Sequence, residues 1–168
     1  GAFTAWSIGT PVALDDYSTW AQGFRERWQD QLAWLRFVTL DVIGDQAATE
    51  RNTAELRRRD MDVVPVVTFG APPAALDTAL AEAPYICLGG LVPYLSAGKS
   101  ARLTWWLDRC FAAVMRHRER TGVMPRLHLL GVTTAHVLLR YPAFSSDSSS
   151  WLSLLRFGQT THVSVAGL

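Results

Sequence analysis

Short apolar runs alternate along the chain with longer amphipathic ones. Gly1 to Trp6 reads as the tail of a strand whose body lies upstream. From Pro11 to about Leu35 the spacing of Trp20, Phe24 and Trp28 predicts a helix, with Asp15 or Asp16 near its start. Phe37 to Ile43 is apolar and β-branched and predicts a buried strand. Gly44 punctuates it, and Asp45 is placed to cap a helix running to about Arg59, on which Glu55 and Arg59 form a favourable i,i+4 pair. The next strand runs from Asp62 to Phe69. Gly70, Pro72 and Pro73 end it and open a short helix to about Ala83. A third strand, from Tyr85 to Leu91, closes on Gly89-Gly90. Ser100 is placed to cap a long helix with Leu103, Trp106, Leu107, Cys110, Phe111 and Val114 on one face. Leu127 to Val132 reads as a strand. Thr133 or Thr134 starts a helix that Tyr141-Pro142 stops. A short strand then leads into Asp147, and Thr161 to Val165 is a candidate for one more.

Strand, helix, strand, repeated every 25 to 35 residues or so, means βαβ units and a parallel α/β fold. A doubly wound sheet and a (β/α)₈ TIM-type barrel both fit. Polar or glycine residues recur at the C-terminal end of each strand: Asp41, Thr68, Gly89-Gly90, Gly131 and Asp147. Barrels gather those ends at one mouth, so the barrel is the expected architecture. The expectation is one domain over residues 1–168, a barrel incomplete at its N-terminus. Open strand edges in such a barrel would favour a homodimer.

Composition narrows the class. The 168 residues are 49% hydrophobic and 18% charged, with a net charge of +1. Such a chain carries no overall electrostatic footprint for nucleic acid, so any contact with a polyanion must be local. Cys87 and Cys110 sit in apolar surroundings and read as buried thiols of a reducing, cytoplasmic setting. No Cys/His spacing suggests a metal, no cofactor motif is present, and no run is long enough to span a bilayer.

Asp147 lies among Ser145, Ser146, Ser148, Ser149 and Ser150. A carboxylate among hydroxyl donors stays ionised and is a candidate nucleophile; an Asx-turn or helix cap fits the same residues, and spacing alone favours the turn. Asp41 interrupts an apolar strand. Burying an unpaired charge is costly, so it either receives donors from a ligand or pairs with a loop arginine. Gly89-Gly90 allows close approach of backbone to a flat ligand, or simply a tight turn. His128, between Leu127 and Leu129, reads as a hydrogen-bonded core residue before a ligand. The cationic runs Arg57-Arg58-Arg59 and Arg116 to Arg120 read as solvated helix ends.

Taken in order, the strand ends resemble those of the tRNA-guanine (queuine) transglycosylase superfamily. The closest likeness is to the queuine-transglycosylase-like proteins of phages and mobile elements, some of which act on DNA. Gly1-Ala2-Phe3 looks like the end of the family's Asp-Ser-Gly-Gly/Ala-Phe/Tyr motif. Leu40-Asp41 falls where the family has a base-reading aspartate, and Val66 to Gly70 where it has a strand ending in a base-contacting glutamine. Leu88-Gly89-Gly90-Leu91-Val92 matches its Gly-Gly-Leu motif, Leu130-Gly131-Val132 resembles its Met-Gly-Val, and Ser146-Asp147-Ser148 falls at its nucleophilic aspartate.

The resemblance implies exchange of guanine for a 7-deazaguanine base in DNA or tRNA, through a covalent glycosyl ester of Asp147. Phe3 and Leu130 would sandwich the base. Asp41 would accept from its N1–H and exocyclic amine. Thr68, Gly89, Gly90, Leu91 and Gly131 would complete the pocket, with no metal. A non-catalytic, base- or nucleic-acid-binding barrel serving as an accessory subunit is the alternative; a metal-assisted hydrolase built on Asp41, His128 and Asp147 is a third. The sequence departs from the family in three places. Its first-motif aspartate would fall before Gly1, its zinc-binding C-terminal segment has no counterpart, and Thr68 and Ser148-Ser149-Ser150-Trp151 replace the glutamine and the run after the nucleophile.

Overall fold

The computed structural model describes residues 9–148 except Ala33 and Ala97. Phe3, Ser149, Ser150, Trp151 and the candidate strand from Thr161 to Val165 lie outside them. The order of elements is α1 (Leu14–Trp28), β1 (Phe37–Val38), α2 (Gln46–Arg58), β2 (Val63–Val64), β3 (Val66–Thr68), α3 (Pro73–Glu82) and β4 (Tyr85–Gly89). A 3₁₀ turn (Val92–Tyr94), α4 (Ser100–Thr121), β5 (Arg126–Leu129), α5 (Ala135–Arg140) and β6 (Ser145–Ser146) follow.

Every strand pair is parallel, and the strands lie in chain order. β1 pairs with β2, while β3, β4, β5 and β6 form a four-stranded sheet in that sequence. The predicted strand from Asp62 to Phe69 is thus two. Pro65 has no N–H to give, and the ladder changes partner there, from β1 to β4. Its carbonyl still accepts from the Cys87 N–H at 2.9 Å, so the chain runs on without leaving the layer.

Alternation along the strands sends side chains to two different environments. On one face Val67, Ile86, Leu88, Leu127 and Leu129 meet Leu76 and Leu80 of α3, Leu103, Trp106, Leu107 and Val114 of α4, and Val137 of α5. The other face holds a small cluster of Val64, Val66 and Cys87, flanked by Val38, Tyr85 and Leu130. No helix among the described residues contributes to that cluster. Among the described residues the fold is a mixed α/β layer of parallel strands with helices packed on one side, in an order that does not reverse. A doubly wound sheet would reverse its order and carry helices on both faces.

Several predicted boundaries move. α1 stops at Trp28 rather than near Leu35, and its buried residues are Ser18 and Ala21, leaving Trp20 57% exposed in an aromatic row with Phe24 and Trp28. Asp45 does cap α2, accepting from the Ala48 N–H at 2.8 Å, and Glu55 does pair with Arg59 at 2.7 Å. Lys99, not Ser100, is the N-cap of α4, because a turn closed by the Lys99 N–H on the Ser96 carbonyl leads straight into the helix. Gly122 ends α4 in the left-handed conformation, at φ 74°. Among the described residues no helix is long and apolar enough to cross a membrane.

Leu88 is fully buried between the central strands and the helices. Replacing it with alanine removes most of that contact and leaves a cavity. Leu88→Ala should lower the unfolding free energy by about 2–5 kcal/mol in a denaturant titration.

Candidate active site

Because all strands are parallel, their C-terminal ends fall on one side of the layer. There stand Asp41 beyond β1, Thr68 ending β3, Gly89 ending β4, Leu130 and Gly131 beyond β5, and Asp147 beyond β6.

Asp41 is held by its own loop. After Val38 only the Thr39 N–H continues the ladder, to the Val64 carbonyl at 2.9 Å. The predicted strand to Ile43 ends early because side chains of α2 take over its backbone: Asn52 donates to the Leu40 carbonyl at 2.8 Å, and Thr49 receives the Val42 N–H at 2.9 Å. Thr39 and Thr53 hydroxyls meet at 3.0 Å. The loop is thereby fixed, and the carboxylate leans over Gly89, where a Cβ would lie 3.0 Å from Asp41 Oδ2, 2.8 Å from Val66 Cγ1 and 3.4 Å from Leu130 Cδ1. Only glycine leaves room for Asp41 and Leu130 to share this corner. No arginine among the described residues pairs with Asp41. Burial pushes its carboxyl above the usual range, against a smaller opposing hydrogen bond from its own backbone.

Asp147 is treated differently. Its Oδ1 accepts from His128 Nε2 at 3.0 Å and from the Gly131 N–H at 2.9 Å. The His128 bond, above all, holds the carboxyl below its ordinary value, while burial opposes this. The side chain is 60% exposed, and both of these bonds fall on Oδ1. Gly131 offers its N–H from a left-handed conformation at φ 74°, with Val92 Cγ2 only 2.5 Å from where a Cβ would sit.

The remaining expected residues divide. Leu130 flanks the small inner cluster beside Gly89. Gly90, at φ 68°, turns the chain against Phe69. Leu91 is fully buried in the helix-side core, so it can serve the site only through its backbone. Thr68 is buried, and its N–H and hydroxyl are both bonded to Gln46 Oε1, at 2.8 and 3.0 Å. Gln46 therefore closes the end of β3, a role the sequence did not suggest. Cys87 lies beneath the two aspartates. Its thiol is pushed up to about 12, mainly by burial and further by the charges of Asp147 and Asp41, so it is inert floor rather than nucleophile. Cys110 is likewise buried in the helix-side core.

Sequence reasoning set His128 aside as a core residue and passed over Ser145 and Tyr85. His128 is bonded on both nitrogens, with Ser145 Oγ 2.8 Å from Nδ1, and Tyr85 Oη lies 2.9 Å from the same Ser145 oxygen. Register pairs Cys87 with His128 and His128 with Ser145, which puts these side chains on one face. Among the described residues no group of three or more His, Cys, Asp or Glu side chains is arranged to hold a metal ion. The chain matches no protein-family model, no curated protein and no solved structure.

Asp41 gives a stability test with a definite sign. A carboxyl raised above its unfolded value of about 3.9 contributes stability that is present below that pH and lost as pH rises through the raised value. Ionised Asp41 thus destabilises the fold at neutral pH. Asp41→Asn should raise Tm at pH 7, by about 2–4 °C per kcal/mol relieved, and the gain should shrink toward pH 3–4 or so. A gain independent of pH, measured by thermal melts across that range, would contradict the assignment.

Proposed function

We propose that the protein is a guanine transglycosylase-like enzyme acting on a nucleic acid, DNA or tRNA, and exchanging guanine for a 7-deazaguanine base. The observation that carries the reading is the pairing of two unlike carboxylates at one set of strand ends. Asp147 is kept ionised by bonds that fall on Oδ1, and Asp41 is half-buried over a glycine with no cationic partner among the described residues. Two titratable groups pushed in opposite directions at one mouth are what a site needs when one must attack and the other must recognise.

In this reading Asp147 Oδ2 attacks C1′ of a guanine nucleoside. The C1′–N9 bond breaks, its electron pair leaves with guanine, and the departing base takes a proton from water. A glycosyl ester of Asp147 remains. The incoming 7-deazaguanine loses a proton and attacks C1′ through N9, and the C1′–Oδ2 pair returns to the carboxylate. Two displacements retain the anomeric configuration. Asp41 accepts from N1–H and the exocyclic amine, donors that adenine does not present together. Leu130 and the Gly89 edge give the base an apolar seat, with backbone groups of Gly89 and Gly90 toward O6. The nucleotide must be flipped or single-stranded, since base and C1′ both enter the site. The closed ladders of a complete (β/α)₈ barrel are part of this proposal; four parallel strand pairings in chain order, with helices on one side among the described residues, support it.

The test is incorporation of labelled guanine into DNA or tRNA incubated with the protein. Exchange into at least one nucleic acid is expected, and Asp147→Asn should reduce it by about 10³-fold or more while the fold persists. A folded protein that exchanges with neither overturns the reading. Guanine binding without exchange would instead make the barrel a base-binding module.

A further inference from the structure

We propose that His128 is the positioning residue of Asp147, and that Ser145 and Tyr85 set the ring from behind. The inference rests on the transglycosylase reading for what Asp147 does, but its geometry stands apart from it. Four side chains form a hydrogen-bonded line along the face that carries Val66 and Cys87: Tyr85 Oη to Ser145 Oγ at 2.9 Å, Ser145 Oγ to His128 Nδ1 at 2.8 Å, and His128 Nε2 to Asp147 Oδ1 at 3.0 Å. Three strands supply it, Tyr85 from β4, His128 from β5 and Ser145 from β6, with Asp147 one residue beyond β6.

Donor counting gives the neutral line one direction. Ionised Asp147 has only acceptors, so His128 Nε2 must carry a proton toward it. In the neutral ring Nδ1 is then bare and accepts the Ser145 hydroxyl proton. The Ser145 oxygen is left to accept from Tyr85. Reversed, the line would aim a bare nitrogen at a carboxylate. The negative charge at one end therefore selects the tautomer, and the hydroxyls at the other hold the ring plane.

The consequence falls on which carboxylate oxygen reacts. His128 and the Gly131 N–H both bind Oδ1, which fixes the carboxylate plane and leaves Oδ2 as the attacking atom. When Oδ2 bonds to C1′ the charge on Oδ1 falls and both bonds weaken. They strengthen again as the carboxylate departs, so they favour release of the sugar to the incoming base. The other titratable groups facing Asp147 are Cys87 of β4 and, through it, Asp41; neither donates to Asp147.

Three readings of the wild-type protein and its variants test this. Nitrogen NMR of His128 should show the neutral ring protonated at Nε2, and Ser145→Ala or Tyr85→Phe should loosen that preference. Carbon NMR of the Asp147 carboxyl should titrate below the ordinary range in the wild type and move up toward it in His128→Ala. In the exchange assay His128→Ala should lower kcat by about 100-fold with little change in KM, and shift the acid limb of the pH profile upward. His128→Gln, which keeps an N–H in reach of Oδ1, should restore part of the loss. An unmoved Asp147 titration and pH profile in folded His128→Ala overturns the proposal, as does covalent labelling of Ser145 by a fluorophosphonate, which would make the serine the nucleophile and Asp147 the orienting group. If both NMR results hold but no exchange occurs, the positioning of Asp147 stands and the transglycosylase reading falls. Exchange with His128→Ala unimpaired is the converse.

Discussion

The helix-side packing of β4 and β5 governs everything on their other face. Ile86 and Leu88 of β4, with Leu127 and Leu129 of β5, are fixed beneath α3 and α4 with essentially no exposure. Side chains alternate along a strand, so this burial assigns Tyr85, Cys87, Gly89 and His128 to the opposite face. A slip of one residue in either strand would bury His128 under α4 and expose leucines instead, at a cost no hydrogen bond repays. The polar line from Tyr85 to Asp147 is thus a by-product of hydrophobic register. Its donors and acceptors contribute about 0.5–1.5 kcal/mol each at most and could not have set that register themselves.

Much of the architecture was legible because it depends on local chemistry. The helical spacing of Leu103, Trp106, Leu107 and Cys110 located α4, Asp45 located the start of α2, and Tyr141-Pro142 located the end of α5. The split at Pro65 was missed, the run from Asp62 to Phe69 being read as one strand, although the missing N–H is a property of the residue. What could not be read was cross-strand register. Nothing in the spacing of residues 85, 128 and 145 says that they align, because parallel strands are joined by connections whose lengths leave the register free. His128 consequently looked like an ordinary core histidine, and Ser145 like one serine among several. At Thr68 a strand-end position suited to a ligand contact was legible, but not the side chain from the neighbouring helix start, Gln46, that takes both its donors.

The two aspartates show opposite uses of the same side chain. Asp147 is stabilised as an anion by two donors converging on one oxygen, and its side chain is 60% exposed. Asp41 has only a hydrogen bond from its own backbone, outweighed by burial. Its loop is pinned through backbone atoms by Thr49 and Asn52, which hold the carboxylate against Gly89 and leave its charge uncompensated among the described residues. Local rules of polar satisfaction are broken at Asp41 and obeyed at Asp147, and such breaks concentrate where a site awaits something from outside.

That contrast orders the chemistry. A carboxylate whose donors are missing gains most from a ligand that brings two N–H groups together, because binding relieves a desolvation cost already incurred in folding. A carboxylate whose donors are present gains little from ground-state binding, and its other oxygen is free to react. In the proposed reading the less satisfied group supplies affinity and the satisfied one a directed nucleophile. Within that reading, interchanging them would fail on both counts: Asp147 without its donors would be free to rotate, and Asp41 with donors of its own would gain less from a base. The asymmetry between them, set by which loops reach which strand end, is what the proposed function draws on at this face of the layer.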